Sequence, residues 1–214
     1  MKTDDFIKQL SSDVKPVKRL ASPVKRFLMW FLASFFSISI GISLMGIRSD
    51  FSQALMNPKF VLETLVILAI AILAAAGAFM MSVPDMERRP IIRWLLIIPS
   101  VAWPLSLVYR LYTIYSQTNS FAFIFDYGFG CLRDIFLLGI LPGSFLFFML
   151  KTAAPLRLSW TGALATLSAA AIAAVGVQFT CSAESPVHIF LWHVLPVIMI
   201  GMAGIALGKR LLRW

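Results

Sequence analysis

Six long apolar stretches that contain no Asp, Glu, Lys or Arg take up most of this chain, at Phe27–Ile47, Thr64–Pro84, Trp94–Tyr109, Ile135–Leu150, Leu158–Ala183 and Ser185–Gly208. Crossing a hydrocarbon core of ~30 Å takes about 20 residues of helix. The third stretch reaches that length by continuing past Arg110 to Tyr115. The fourth does so by including Arg133 and Lys151, whose long stems let their charges snorkel to the interfaces. A closed β-barrel would need segments of alternating polarity, whereas these runs are continuously apolar and rich in Leu, Ala, Ile and Gly. A soluble helical core is excluded by the balance of 59% hydrophobic against 14% charged residues, with a mean hydropathy of +0.85, because helices of soluble proteins are usually half polar. The expected fold is all-α and polytopic, with spans at about 27–47, 60–83, 93–115, 133–151, 158–180 and 186–208. These form a transmembrane domain over residues 27–214, and residues 1–26 form a separate tail.

Orientation follows from the basic residues, which short cytoplasmic connections retain. With an even number of spans both termini share a side, and that side collects all but Arg48, Lys59, Arg110 and Arg133 of the 19 Lys and Arg residues. Both termini are therefore expected in the cytoplasm. The net charge of +9 is explained by this topology. Direct nucleic-acid binding is not expected, because the charge is divided over separate cytoplasmic pieces with no aromatic platform beside it. The first span is expected to remain as an anchor, since it follows a mostly polar segment and exceeds a signal-peptide core in length.

Within the tail, Phe6, Leu10, Val14 and Val17, with Ile7 beside them, recur at spacings of three and four and share one helical face. Thr3 or Asp4 can cap this short amphipathic helix, and Pro16 stops or kinks it near Lys15, with a second break at Pro23. Three roles remain open for it: lying on the membrane lipid, packing on the chain's own loops, or docking in a partner's groove. Asp4, Asp5 and Asp13 oppose adsorption to anionic lipid, which favours a partner.

The phrase Leu10-Ser11-Ser12-Asp13-Val14-Lys15-Pro16-Val17-Lys18-Arg19-Leu20, followed by Pro23 and Arg26, resembles the opening of the NrsF family of membrane anti-sigma factors. The resemblance continues in Ser82-Val83-Pro84, Gly130-Cys131-Leu132 and Ala154-Pro155-Leu156-Arg157, and in an ending that contains Cys181, Ser185-Pro186-Val187-His188, Leu191-Trp192-His193 and Arg210-Leu211-Leu212-Arg213-Trp214. It implies a bacterial inner-membrane protein that holds an extracytoplasmic-function sigma factor inactive at the cytoplasmic face and releases it under stress. The partner-binding positions it implies are Leu10, Asp13, Val14, Pro16, Val17 and Leu20.

The chain has two cysteines. Cys131 precedes the fourth span and Cys181 follows the fifth, so the topology puts both at the outer face, which in bacteria is the oxidising periplasm. The short Lys151–Arg157 connection makes these spans antiparallel neighbours and brings their outer ends together. Three readings stand: a structural disulfide, a thiol sensor, and small apolar bystanders. The resemblance favours sensing, because the family carries a cysteine pair at these places and is associated with thiol-reactive stress. His188 can join the two thiols around a soft divalent ion. His193, five residues on, stands about 140° away around an α-helix and is expected to be hydrogen-bonded elsewhere in the bundle. No resident metal and no cofactor are expected.

Of the other polar groups in the spans, Glu63 and Arg110 read as an outer-leaflet ion pair, and no file of acids crosses the midplane. Phe121, Phe123, Phe125, Tyr127 and Phe129 read as an interfacial aromatic belt, or alternatively as a lid over the thiols. With no Walker loop, no His-Glu-x-x-His, no Gly-x-Ser-x-Gly and no second cysteine pair to relay electrons, catalysis is not expected. The alternative to a regulator is a small transporter, or another integral membrane protein with a structural disulfide.

Overall fold

The computed structural model describes residues 3–12, 20–82, 90–118 and 128–213. Among them the chain is helical and contains no strand. The helices are α1 (Thr3–Ser12), α2 (Pro23–Met45), α3 (Phe51–Met56), α4 (Pro58–Met80), α5 (Pro90–Thr118), α6 (Phe129–Lys151), α7 (Leu158–Thr180), α8 (Pro186–Ile189) and α9 (Leu195–Leu211), with a π-helical turn, Phe190–Val194, joining the last two. Five are long and apolar enough to cross a membrane: α2, α4, α6, α7 and the continuous run Pro186–Leu211. Large apolar side chains such as Phe35, Phe36, Ile40, Leu62, Leu141 and Phe148 point outward from these helices. Water would penalise that surface and lipid does not, which makes the chain a membrane protein in the chemistry of its exterior.

Helix starts follow local sequence. Ser22 accepts a hydrogen bond from the Lys25 N–H at 3.3 Å, and Pro23 occupies the first helical position, where its missing N–H costs nothing. Pro23 was expected to break the tail; instead it opens α2. Asn57 does the same for α4, its side chain accepting from the Lys59 N–H at 3.1 Å ahead of Pro58. At the other end of α2 the chain leaves through Gly46 at φ +89°, a backbone that a side chain resists. The short helix α3, between α2 and α4, was not anticipated.

The hub is α7, most of whose length is buried, whereas the other long apolar helices are mostly unburied. Its buried face is built of Gly162, Ala165, Thr166, Ala169, Ala170, Ala173, Ala174 and Val177. In lipid there is no hydrophobic drive between helices, so small residues that let backbones approach carry the packing. The closest approach pairs Gly162 of α7 with Gly204 and Gly208 of α9, where an added Cβ on any of the three would meet the other helix's backbone. Polar groups add fixed points: the Ser168 hydroxyl donates to the Ala71 carbonyl of α4 at 2.7 Å, and the Trp30 indole of α2 donates to the Pro142 carbonyl of α6 at 3.0 Å.

Two cores lie along the bundle. One, around Trp30, Phe79, Leu146, Leu150 and Leu212, sits at the end that carries Lys151 and the C-terminus. The guanidinium of Arg26, expected in the tail, is buried there over the Phe79 ring at 5.2 Å. The other core, around Ile67, Leu107, Ile135, Leu138 and Val177, reaches the opposite end, where Cys131 and Cys181 pack against it.

Of the expected partner-binding positions, Leu20 is described and is exposed. Leu10 belongs to α1, while Asp13, Val14, Pro16 and Val17 lie outside the described residues. So do Phe121, Phe123, Phe125 and Tyr127, and the side chain of Arg110.

Candidate functional site: a thiol and imidazole cluster

Four elements deliver the cluster. Cys131 stands in the first turn of α6, and Cys181 ends α7, its N–H donating to the Val177 carbonyl at 2.8 Å. His188 lies in α8 and His193 in the π-helical turn. Both thiols are free, with their Sγ atoms 3.4 Å apart. The Nε2 atom of His188 is 3.4 Å from the Cys131 Sγ and 3.5 Å from that of Cys181. The His188 and His193 rings meet edge to face with centroids 5.5 Å apart, and one ligating atom from each of the four residues falls within 4.8 Å of all the others.

The convergence of Cys131 and Cys181 is the one anticipated from topology. The position of His193 is not, and the cause is the π-turn. In an unbroken α-helix residues five apart diverge, but a π-helix bonds i to i+5, so such residues stack one turn apart. Here the Leu195 N–H reaches the Phe190 carbonyl. Pro196 supplies the reason: it has no N–H to return to the Trp192 carbonyl, and its ring crowds that carbonyl, so the helix widens just ahead of it. His188 is 5% exposed and His193 1%. Neither His193 ring nitrogen has a hydrogen-bond partner, nor has Nδ1 of His188.

The turn is held against α6 by close contact. Gly128, the residue before α6, lies so near the Trp192 indole that a Cβ there would overlap the ring, and Phe129 packs on the same indole at 5.0 Å.

On the other side Arg48, with a side chain only 1% exposed, clamps the segment after Cys181. Its Nε and Nη2 donate to the two Asp50 carboxylate oxygens, each at 2.7 Å. Nη2 also donates to Glu184 at 3.0 Å, the backbone N–H of Arg48 donates to the Phe179 carbonyl at 3.0 Å, and the guanidinium lies over the Phe60 ring at 5.3 Å. A bidentate pair of this kind is stronger than an ordinary surface bridge. Arg48 counted in the sequence only as one of the few outer basic residues, and nothing in its spacing marked it as a clamp.

These contacts set the electrostatics of the loop. The hydrogen bond from Arg48 holds the Asp50 carboxyl below its usual range, and Asp50 in turn raises the already high pKa of Arg48. At Cys181 the Cys131 thiol, directed at its sulfur, lowers the pKa below the ordinary thiol range. Because the folded Asp50 pKa is depressed, its contribution is complete at neutral pH and is lost as pH falls through the folded value. As pH falls below about 4, the model-peptide range for carboxylates, and on through the lower folded value, the Asp50 partner of Arg48 is lost and the hold of Arg48 on the Cys181–Pro186 segment is expected to loosen. The measurement is amide hydrogen exchange of the detergent-solubilised chain. Asp50→Asn should give the same faster exchange at neutral pH, and equal protection at both pH values would show that the clamp does not hold the segment.

A helical membrane bundle with part-buried thiols and buried imidazoles at one end, and an exposed helix preceding its first span, has the parts of a membrane-anchored regulator. The sequence matches the family model described as NrsF, negative regulator of sigma F, over residues 10–214. The chain belongs to that family. No significant match is found among curated proteins or among solved structures.

Proposed function

We propose that this protein is an anti-sigma factor of the bacterial inner membrane that crosses six times, with α5 as the third crossing and both termini in the cytoplasm. At 29 residues and about 1.5 Å per residue, α5 has length to spare for a hydrocarbon core of ~30 Å. The basic residues of the tail, of the connections after α4 and α6 and of the C-terminus then share the cytoplasmic side, and the thiol cluster faces the periplasm. Residues 1–26 sequester an extracytoplasmic-function sigma factor through Leu10, Asp13, Val14, Pro16, Val17 and Leu20. Chemistry at Cys131 and Cys181 causes release.

The observation that carries this reading is the family match, which takes in both the tail phrase and the thiol end. The architecture supplies a route between them. The most buried helix, α7, runs from Cys181 at one end to Leu158 at the other, and α9 runs from the π-turn to Lys209 beside it. A changed cluster therefore tilts two helices that are locked together by Gly162, Gly204 and Gly208 at the end nearer the tail. Such a bundle can hold two discrete packings and bias the tail between them.

The test is fractionation of cells that co-express the full chain and an extracytoplasmic-function sigma factor from the same genome. The sigma factor is expected in the membrane fraction when the chain is present and in the soluble fraction when it is not. A sigma factor that stays soluble beside the intact chain overturns sequestration.

Orientation has its own test. A membrane-impermeant maleimide added to intact cells is expected to label the chain through Cys131 and Cys181, with labelling gone in the double serine variant. Labelling confined to inverted vesicles would reverse the topology.

A further inference from the structure

We infer that Cys131, Cys181, His188 and His193 form a four-coordinate site for a closed-shell d10 cation of the size of Zn²⁺. The inference deepens the sensing reading of the same thiols and rests on that reading for its consequence, though not for its chemistry. Three independent features carry it.

The first is spacing. A tetrahedral site with Zn–S near 2.3 Å and Zn–N near 2.0–2.1 Å sets its ligand atoms about 3.3–3.8 Å apart. The sulfur pair here is 3.4 Å apart, and His188 Nε2 lies 3.4 and 3.5 Å from the two sulfurs. With His193 the four ligating atoms stay within 4.8 Å of one another, so small side-chain rotations close them on one ion.

The second is an unmet polar demand. His193 is 1% exposed, and both of its ring nitrogens lack a hydrogen-bond partner. An imidazole buried without a well-formed hydrogen bond carries a desolvation cost at its nitrogens. An ion bound through one nitrogen offsets that cost.

The third is the backbone device. Without the π-turn ahead of Pro196 the cluster would stop at three ligands, as the unbroken helical spacing suggests. With it the set is closed by four protein side chains, leaving no open position for substrate water. That is the arrangement of structural and sensory sites and not of catalytic ones. π-turns inside α-helices concentrate at functional sites.

The donor set selects the ion. Two sulfurs and two imidazoles suit soft and borderline cations and offer Mg²⁺ or Ca²⁺ no oxygen ligand. A divalent ion binds both sulfurs as thiolates, releases to solvent whatever protons the two sulfurs carried, and keeps its oxidation state. The resulting centre, two thiolates, two neutral imidazoles and one dication, carries no net charge, which suits its burial. Because the same sulfurs cannot both ligate and pair with each other, bound metal excludes a Cys131–Cys181 disulfide. The ion would tie α6, the end of α7 and the π-turn above α9 into one unit.

The test uses the full chain, purified in detergent with its thiols reduced, and needs no sigma factor. Zn²⁺ is titrated in competition with a chromophoric chelator, and Co²⁺ serves as the spectroscopic probe. One Zn²⁺ per chain is expected, together with the intense visible bands and sulfur-to-cobalt charge transfer of tetrahedral Co²⁺. Bound Zn²⁺ should also protect both thiols from maleimide. His193→Ala and Cys181→Ser should each weaken Zn²⁺ by about 100-fold or more, since even outer-shell changes cost 10–100-fold. His193→Cys should restore stoichiometric binding with stronger sulfur-to-cobalt bands, which separates loss of a ligand from loss of fold. The inference is overturned by a wild-type chain that binds no Zn²⁺, by an octahedral Co²⁺ spectrum, by unchanged affinity in His193→Ala, or by a monodisperse His193→Cys chain without metal. Failure of sequestration would appear only in the fractionation experiment, so the two claims fail separately.

Discussion

Replacing Gly162 with leucine is expected to prevent recovery of a monodisperse protein, or at the least to lower its thermal midpoint in detergent by about 10 °C, from an overpacking cost of about 3 kcal/mol. At this position α7 and α9 touch backbone to backbone. A Cβ on Gly162 would overlap the Gly204 carbonyl oxygen and the Gly208 Cα, and neither can rotate away as a side-chain tip would. The helices must part. Parting them removes the bond from the Thr166 hydroxyl to the Gly201 carbonyl, at 3.4 Å, and exposes the small-residue face of α7 to lipid. Nothing hydrophobic drives the helices back together, because lipid tails solvate that face as well as α9 does. Gly130, in the first turn of α6, has nothing within 4 Å of its Cβ position, so Gly130→Leu should leave the midpoint unchanged and serves as the control. Size-exclusion profiles and thermal unfolding of the two variants read the difference. A Gly162→Leu chain with the wild-type midpoint would show that α7 and α9 are not in contact there.

What the sequence made legible divides along physical lines. The long helices were visible because continuous apolarity has one stable answer in a bilayer, whatever the neighbours do. Their starts could have been read more closely: Pro23, Pro58 and Pro186 each open a helix, and a proline that follows a Ser or Asn at the cap position signals a beginning as readily as a break. The meeting of Cys131 with Cys181 followed from connectivity alone. His193 did not, because its direction depends on which backbone bond Pro196 forbids, and ideal helical angles hide that. Arg48 was equally opaque: its partners are near in sequence at Asp50 and far at Glu184, and the second becomes a neighbour only after α7 has folded back beside α2. The small residues of α7 were counted as apolar, yet their packing value depends on glycines that arrive some forty residues later.

Val14→Asp is expected to release the sigma factor, so that sigma-dependent transcription runs at its induced level without any stress. On the spacing of Phe6, Leu10, Val14 and Val17, position 14 lies at the centre of the tail's apolar stripe, and in α1 the neighbouring Phe6 and Ile7 are exposed and available to a partner. Burying a carboxylate in an apolar groove costs about 3–4 kcal/mol, a factor of about 100 to 1,000 in affinity. Outer labelling of Cys131 and Cys181 should be unchanged, showing that the variant still inserts. The decisive comparison is the double variant. If the thiol end acts only by controlling the tail, adding Cys181→Ser to Val14→Asp changes nothing further, because a tail that cannot hold its partner has no state left to regulate. Should Cys181→Ser alter transcription in the Val14→Asp background, the thiols would be acting by a route that bypasses the tail, and residues 1–26 could not be the only site of sequestration.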